Sequence, residues 1–140
     1  MAGRWTNYGE ERICNSIALS QVWVCQLFKL PTTDADDEDF TGTEADYDGY
    51  GAQGFSFATA ADTGSAGTWY AVSTSNLVWT HSGDGVEDTD NTIYGYTIYG
   101  EGGVGDPFYY EFFASPVSMT AGAQISFVPK ITLIGLEDVV

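Results

Sequence analysis

The single histidine of the sequence, His81, limits the chemistry that this chain could perform. Acid–base catalysis uses a histidine more often than any other side chain, and zinc sites take several histidine or cysteine ligands. His81 stands in the segment 80–85, which is typical of a strand end entering a turn and not of a nucleophile elbow. No Walker loop, GxSxG or dinucleotide motif occurs in the sequence. We therefore predict a protein that is not an enzyme and has no catalytic residues.

Glu111 is the carboxylate that comes nearest to a glycoside hydrolase pattern, because it interrupts the aromatic run 108–113. Such an enzyme needs one carboxyl group in an apolar pocket and a second at a defined separation. In an alternating strand, however, Glu111 shares a face with Tyr109 and Phe113, which also suits a carboxylate that points to solvent beside a tyrosine. A glycan hydrolase is therefore kept only as a remote alternative.

Eight carboxylates fall within the acidic loop 33–48, and four more lie in 82–90. Calcium is the cation that such oxygen-rich loops bind most readily. The spacing does not follow the EF-hand pattern, because Asp39 stands where the glycine of the loop should be and no glutamate closes the loop. We predict solvated acidic loops, with no metal and no cofactor.

The two cysteines, Cys14 and Cys25, show no CxxC spacing and have no histidine beside them. This pattern gives no support to a redox or zinc site. A disulfide between them is the alternative, but we expect two small buried apolar side chains.

The charge balance excludes some partners. With 20 acidic and four basic residues the formal net charge is −16, so the chain lacks the basic footprint that nucleic acid requires. No apolar run approaches the roughly 20 residues of a membrane span, and the beginning lacks a secretory pattern, so we expect folding in a cytoplasm. Aromatic residues make up 15% of the chain, which favours a folded core over disorder. We expect one domain over 1–140.

The elements that must position these residues are mostly strands. A short N-terminal helix is predicted over 8–19, with Asn7 as its cap and Glu10 at the capping-box position. Period-two and β-branched patterns predict strands in seven segments: 21–29, 55–57, 68–74, 76–81, 91–99, 107–115 and 123–134. Pro31 should end the first strand, Pro129 should mark a bulge or an edge, and the glycines of 94–100 should mark a close backbone approach or a bulge.

Connectors rich in Gly, Asp, Ser and Thr separate these strands. Short strands with such turns are typical of antiparallel sandwiches, and a parallel sheet would need crossover helices that the sequence does not show. We predict a mainly β fold, an antiparallel β-sandwich that is jelly-roll-like, with the short N-terminal helix in front of it.

Several short segments occur in the order found in a group of small tailed-bacteriophage structural proteins. They are Gln26-Leu-Phe-Lys29, Pro31-Thr-Thr-Asp-Ala-Asp36, Asp39-Phe40, Thr43-Glu-Ala-Asp46, Gly49-Tyr50, Thr92-Ile-Tyr-Gly-Tyr96, Ser115-Pro-Val-Ser-Met-Thr-Ala-Gly122, and the helix start at Gly9-Glu10. The chain resembles that group over most of its length, although its acidic loop is more heavily charged and its cysteines are its own.

The resemblance implies a virion component without enzyme activity. Together with the acidic, cysteine-poor, β-rich character, it leads us to expect a capsid decoration (cement) protein that binds the major capsid protein. We expect it to form a homo-oligomer such as a trimer, to reside in the virion, and to bind neither nucleic acid nor membrane. The alternative is a tail-tip or fibre-associated adhesin that grips host glycan through tryptophans such as Trp69 and Trp79.

Overall fold

The computed structural model describes residues 21–30, 42–58, 61–62, 68–100, 103 and 107–134, together with Ser16. Within these residues the fold is mainly β, as predicted, and the described elements are all strands. The predicted helix over 8–19 lies outside the described residues apart from Ser16, and so does the acidic loop before residue 42. In the described part of the chain, no helix is long and apolar enough to cross a membrane.

Ten strands run along the chain. They are β1 (Trp23–Leu30), β2 (Thr43–Glu44), β3 (Gln53–Phe55), β4 (Ala61–Asp62), β5 (Thr68–Val72), β6 (Leu77–Thr80), β7 (Asn91–Tyr99), β8 (Tyr109–Met119), β9 (Gln124–Phe127) and β10 (Lys130–Ile134).

The strands form three sheets whose registers are antiparallel. A five-stranded sheet has the order β2-β1-β7-β8, with β3 also pairing with β1; a three-stranded sheet has the order β10-β5-β4; and β6 pairs with β9. The chain divides into two compact units, with β4, β5 and β10 in the first and β1, β2, β6, β7, β8 and β9 in the second, and the division falls within β3 after Gly54. The sandwich arrangement and the single domain stay predictions.

β1 is a central strand, as its apolar residues on both faces predict. One of its faces carries Trp23, Cys25 and Leu27, all buried, and the register sets Cys25 opposite Ile98 and Leu27 opposite Tyr96 on β7. Burial of these five side chains supplies much of the core of the second unit, at about 1.5–3 kcal/mol for each large apolar side chain. β1 ends at Leu30, directly before the proline that was expected to stop it.

Among the described strands, β8 lies at the edge of its sheet, and it bulges away from β7. Ile93 pairs with Val117 and Gly95 pairs with Phe112, so one residue of β7 faces the four residues 113–116 of β8. The bulge lies beside Gly95, and a Cβ atom there would collide with the carbonyl oxygen of Glu111. The expectation of a bulge and a close approach at a strand glycine is therefore confirmed.

β6 and β9 form a two-stranded ribbon with one buried face. Leu77 pairs with Phe127 and Trp79 with Ile125, while Val78 lies on the exposed face. This alternation is the period-two pattern of the sequence.

The predicted last strand, 123–134, divides at a proline. β9 ends at Phe127 and β10 begins at Lys130, and Pro129 lies between them, buried. Proline has no N–H group to donate to a ladder, but its carbonyl oxygen accepts a hydrogen bond from the N–H of Ser73 at 2.8 Å. Pro129 therefore interrupts the strand, which is a stronger effect than the bulge that the sequence predicted.

Candidate functional site

A tight turn places Tyr47 against His81 in the second unit. The N–H of Tyr50 donates to the carbonyl of Tyr47 at 2.9 Å, and Gly49 has a φ of +87°, which suits the third position of a type II turn. Ser82 lies so close to Gly49 that a Cβ atom there would be 2.6 Å from its hydroxyl oxygen. The ring of Tyr47 stacks on that of His81 with centroids 5.5 Å apart and an interplanar angle of 12°. A glycine is thus required where the two segments meet.

Both ring nitrogens of His81 are engaged in hydrogen bonds. Nδ1 accepts from the N–H of Gly83 at 3.0 Å, so in the neutral ring the proton is on Nε2, which lies 3.0 Å from the carbonyl oxygen of Thr89 and 2.9 Å from Asp90 Oδ1. His81 is buried, with 1% of the residue exposed. His81 therefore closes the loop 82–90 on itself and follows the end of β6, as the sequence predicted.

His81, Asp88 and Asp90 each offer one ligand atom, and these atoms lie within 4.8 Å of one another. These side chains already have partners, because Asp88 Oδ2 accepts the N–H of Gly85 at 2.6 Å and both ring nitrogens of His81 are engaged. A zinc or calcium ion would need to replace these hydrogen bonds. These hydrogen bonds join residues of the loop 82–90 to one another and to His81. The prediction of no metal stays a prediction.

The hydroxyl of Tyr47 is a buried polar group without a hydrogen-bond partner among the described residues. The side chain is 2% exposed, and its burial raises the pKa of Tyr47 to about 12. An unsatisfied buried hydroxyl costs about 1–3 kcal/mol. Its neighbour Tyr50 contrasts with it, because the Tyr50 hydroxyl accepts from the N–H of Leu27 at 3.2 Å and donates to Glu44 Oε1 at 3.0 Å.

Asp46 links β1 to the start of β7. Its Oδ2 lies 2.7 Å from Lys29 Nζ, and Asn91 donates from its side-chain nitrogen to Asp46 Oδ1 at 3.0 Å. The hydrogen bond from Lys29, and after it the bond from Asn91, lower the pKa of the Asp46 carboxyl group. The carboxylate is exposed, so water screens much of this interaction.

An open groove lies between β8 and β9 in the second unit, with a volume of about 310 Å³. Its lining is mostly apolar and comes from the bulged part of β8 and from the whole of β9. The lining residues are Phe113, Val117, Gln124, Ile125, Ser126 and Phe127. We call this feature the aromatic groove.

The rings of the aromatic groove are fixed by packing against rings beneath them. Phe127 lies 4.7 Å from Tyr96, 5.4 Å from Trp79 in a stacked arrangement, and 5.5 Å from Phe113, measured between centroids. Such contacts stabilise each aromatic pair by about 0.5–1.5 kcal/mol beyond burial. The groove is thus formed in advance by the fold.

Glu111 is exposed, and it is joined to the aromatic groove through Tyr96, whose hydroxyl bonds to Glu111 and whose ring contacts Phe113 and Phe127. Its Oε2 accepts hydrogen bonds from the hydroxyl groups of Tyr96 at 2.6 Å and Tyr109 at 3.4 Å, while Oε1 has no partner among the described residues. The general acid of a glycoside hydrolase must sit in an apolar pocket, which Glu111 does not. The geometry favours the other interpretation of the sequence, a carboxylate directed to solvent next to Tyr109.

Of the two tryptophans proposed as glycan platforms, Trp79 is not at the surface. Trp79 is 2% exposed, and its indole N–H donates to the carbonyl oxygen of Gly51 at 2.9 Å. A buried indole cannot stack on a sugar. The side chain of Trp69 is outside the described part of the structure.

Cys25 is a buried free thiol, as expected, and burial raises its pKa well above the usual range for a thiol. Cys14 lies outside the described residues.

Glu111, Tyr109 and Phe113 were singled out from the sequence, whereas Tyr47 and the β9 side of the aromatic groove were missed. The Asp48-Gly49 pair was a turn signal that could have drawn attention to Tyr47. The groove could not be found in this way, because it requires residues from strands that are not paired with each other.

Comparison with protein-family models, with curated proteins and with solved structures found no match to this chain.

Proposed function

We propose that this chain is a non-enzymatic structural protein of a tailed-bacteriophage virion, which decorates the head by binding the major capsid protein and stabilising the shell. The observation that carries the proposal is the aromatic groove beside edge strand β8. The chain resembles small virion proteins in the segments given above, and this resemblance indicates the kind of assembly in which such a surface would be used.

The aromatic groove suits a protein partner better than a reaction. Aromatic side chains in pockets dominate the binding energy of protein interfaces. Beside the groove, β8 pairs with β7 alone among the described strands, and an edge strand carries backbone groups that another chain can pair with. The exposed ring of Phe108, which packs on Trp23 at the start of β8, extends the apolar surface of this strand.

The charge of the chain selects the partner. A net charge of −16 repels polyanions and other acidic proteins, and favours a shell surface with basic groups. Because copies of the chain carry the same charge, they would contact one another through apolar faces, in a homo-oligomer such as a trimer. Acidic loops directed outward would keep decorated particles apart.

The finer fold belongs to the same proposal. Antiparallel sheets with short strands and turn-rich connectors support a β-sandwich of the jelly-roll type. This architecture is common in proteins that assemble into viral shells.

The test is the position of the protein in the particle. Heads and tails of the phage that encodes the chain are purified separately and probed with an antibody against it. We expect the protein in heads, and we expect purified protein to bind heads assembled without it and to raise the temperature at which they open. Presence in tails alone would overturn decoration and favour the glycan-binding adhesin, and absence from both would overturn a virion function.

A further inference from the structure

We infer that the aromatic groove binds an extended segment of the partner protein that carries an apolar side chain and a lysine or arginine two positions apart. The inference rests on the proposed function, since the segment would belong to the shell protein, and it names the chemistry that the site recognises. Three features of the second unit carry it: the shape of the groove, the spacing of its residues, and the position of one carboxylate.

The shape favours an extended chain. Four consecutive residues of β9, 124–127, line the groove. Because successive side chains of a strand point to opposite faces, a groove lined by all four runs along an edge of the strand. On its other edge β9 pairs with β6. The opposite wall comes from Phe113 and Val117, on either side of the exposed residues 114–116 of the β8 bulge. A bulge of this kind keeps a long edge strand from pairing along its whole length, so one short segment fits better than a second sheet.

The spacing comes from β8. Glu111 and Phe113 are two residues apart, and Tyr96 contacts both, with its hydroxyl 2.6 Å from Glu111 Oε2 and its ring centroid 6.2 Å from that of Phe113. A segment running along β8 presents its own alternate side chains at the same interval. An apolar side chain in the groove would therefore set the next side chain on that face near Glu111.

The charge of the occupant follows from Glu111. Oε1 accepts no hydrogen bond from a described residue, and Tyr96 and Tyr109 hold the carboxylate in place through Oε2. The groove lining contains no basic residue. The net charge of −16 adds a long-range preference for a cation. A second copy of the chain is a poorer occupant, since it brings the same excess of carboxylates.

The test uses the full chain labelled with ¹⁵N and two blocked peptides, acetyl-Thr-Leu-Thr-Lys-Thr-amide and the same peptide with glutamine in place of lysine. We expect the lysine peptide, at millimolar concentration, to shift the amide resonances of Phe113, Val117 and 124–127. We expect the glutamine peptide to bind more weakly by about two- to five-fold, the range of an exposed ion pair. Glu111→Gln keeps an oxygen for the two tyrosines and should remove the difference between the peptides.

Two further variants keep the inference falsifiable. Ser126→Trp places a large ring at an exposed position of the lining and should abolish the shifts, and Val86→Ser, at an exposed loop position outside the lining, should leave them unchanged. Thermal melting checks that each variant is folded. The inference is overturned if the peptides cause no localised shifts, if Glu111→Gln preserves the preference for lysine, or if simple methyl glycosides shift the same amides while the peptides do not.

Head binding separates this inference from the proposed function. If heads bind wild-type protein and the Ser126→Trp and Glu111→Gln variants equally, decoration stands and the groove is not the docking surface. If the peptides bind as expected but heads do not bind the protein, the groove inference stands and decoration fails.

Discussion

Two neighbouring tyrosines show how differently one hydroxyl group can act in the same unit. The Tyr47 hydroxyl is buried and has no hydrogen-bond partner within the part of the chain that the structure describes, whereas the Tyr50 hydroxyl bonds to the backbone of Leu27 and to Glu44. Both side chains pack ring against ring, with centroids 5.4 Å apart. The two residues therefore allow a comparison of a hydroxyl without a partner and a hydroxyl with two partners, on adjacent rings of which Tyr47 is the more buried.

We predict that Tyr47→Phe leaves the free energy of unfolding unchanged or raises it by about 1 kcal/mol, because it removes an unsatisfied group. Tyr50→Phe should lower it by about 1–3 kcal/mol, because it leaves the N–H of Leu27 without this acceptor. Urea unfolding followed by tryptophan fluorescence measures both. A loss of more than about 1 kcal/mol in Tyr47→Phe would show that its hydroxyl has a partner in solution.

Asp46 gives a pH dependence whose sign is fixed by its neighbours. Lys29 and Asn91 lower its pKa in the folded protein below the ordinary value of 3.8. The stabilisation is therefore present above the unfolded-state pKa, and it is lost as the pH falls through the folded-state value.

We predict that Asp46→Asn is less stable than the wild type at pH 7 and pH 5, and that the difference shrinks as the pH falls below about 4. The effect should be small because the carboxylate is exposed. Denaturant unfolding at several pH values measures it, with Glu87→Gln, at another exposed carboxylate, as the control. A difference that stays constant down to pH 2 would contradict the assignment.

Gly95 determines how closely β1, β7 and β8 pack. A Cβ atom at this position would be 2.6 Å from Cζ of Phe28 and would also meet the backbone of Glu111 and Phe112. Backbone cannot move aside as a flexible side chain can. Both the bulge of β8 and the ring of Phe28 are thus accommodated by one missing side chain.

We predict that Gly95→Ala lowers the free energy of unfolding by about 1–3 kcal/mol through overpacking. The control is Gly51→Ala, where a Cβ atom would meet nothing within 4 Å and the change should stay within about 0.5 kcal/mol or stabilise slightly. Denaturant midpoints compare the two variants. Equal stabilities would refute the close approach at Gly95.

The strands that the sequence predicted best are those with an uninterrupted local pattern. β7 has the predicted bounds, 91–99, because β-branched or aromatic residues fill every position except Asn91 and Gly95. β2 and β4 were not predicted, since two residues carry no period and their pairing is decided by the neighbouring strand. At Pro129 the residue was recognised, but whether it bends or ends a strand depends on the contact with Ser73.

The same limit applies to the candidate site. The solvent-facing carboxylate Glu111 beside Tyr109 could be predicted from alternation within one strand. The aromatic groove could not, because it depends on the register shift that opens residues 113–116 and on β9, which pairs with β6. Tyr47 reaches His81 only through the turn at Gly49.

The net charge and the aromatic groove have opposite effects on the contacts that this chain can make. A charge of −16 on 140 residues disfavours contact with other acidic surfaces, and the aromatic groove provides an apolar place for contact in one unit. Cys25, buried in the same unit, gives no reactive thiol at the surface.

The path of the chain through the two units has a consequence for inheritance. The chain passes from one unit to the other four times, after Val22, Gly54, Asn76 and Phe127. A single crossover anywhere in the coding region between β1 and β10 would therefore split at least one unit between two parental genes. One such crossover therefore cannot give a chain whose two units each come whole from a different parent.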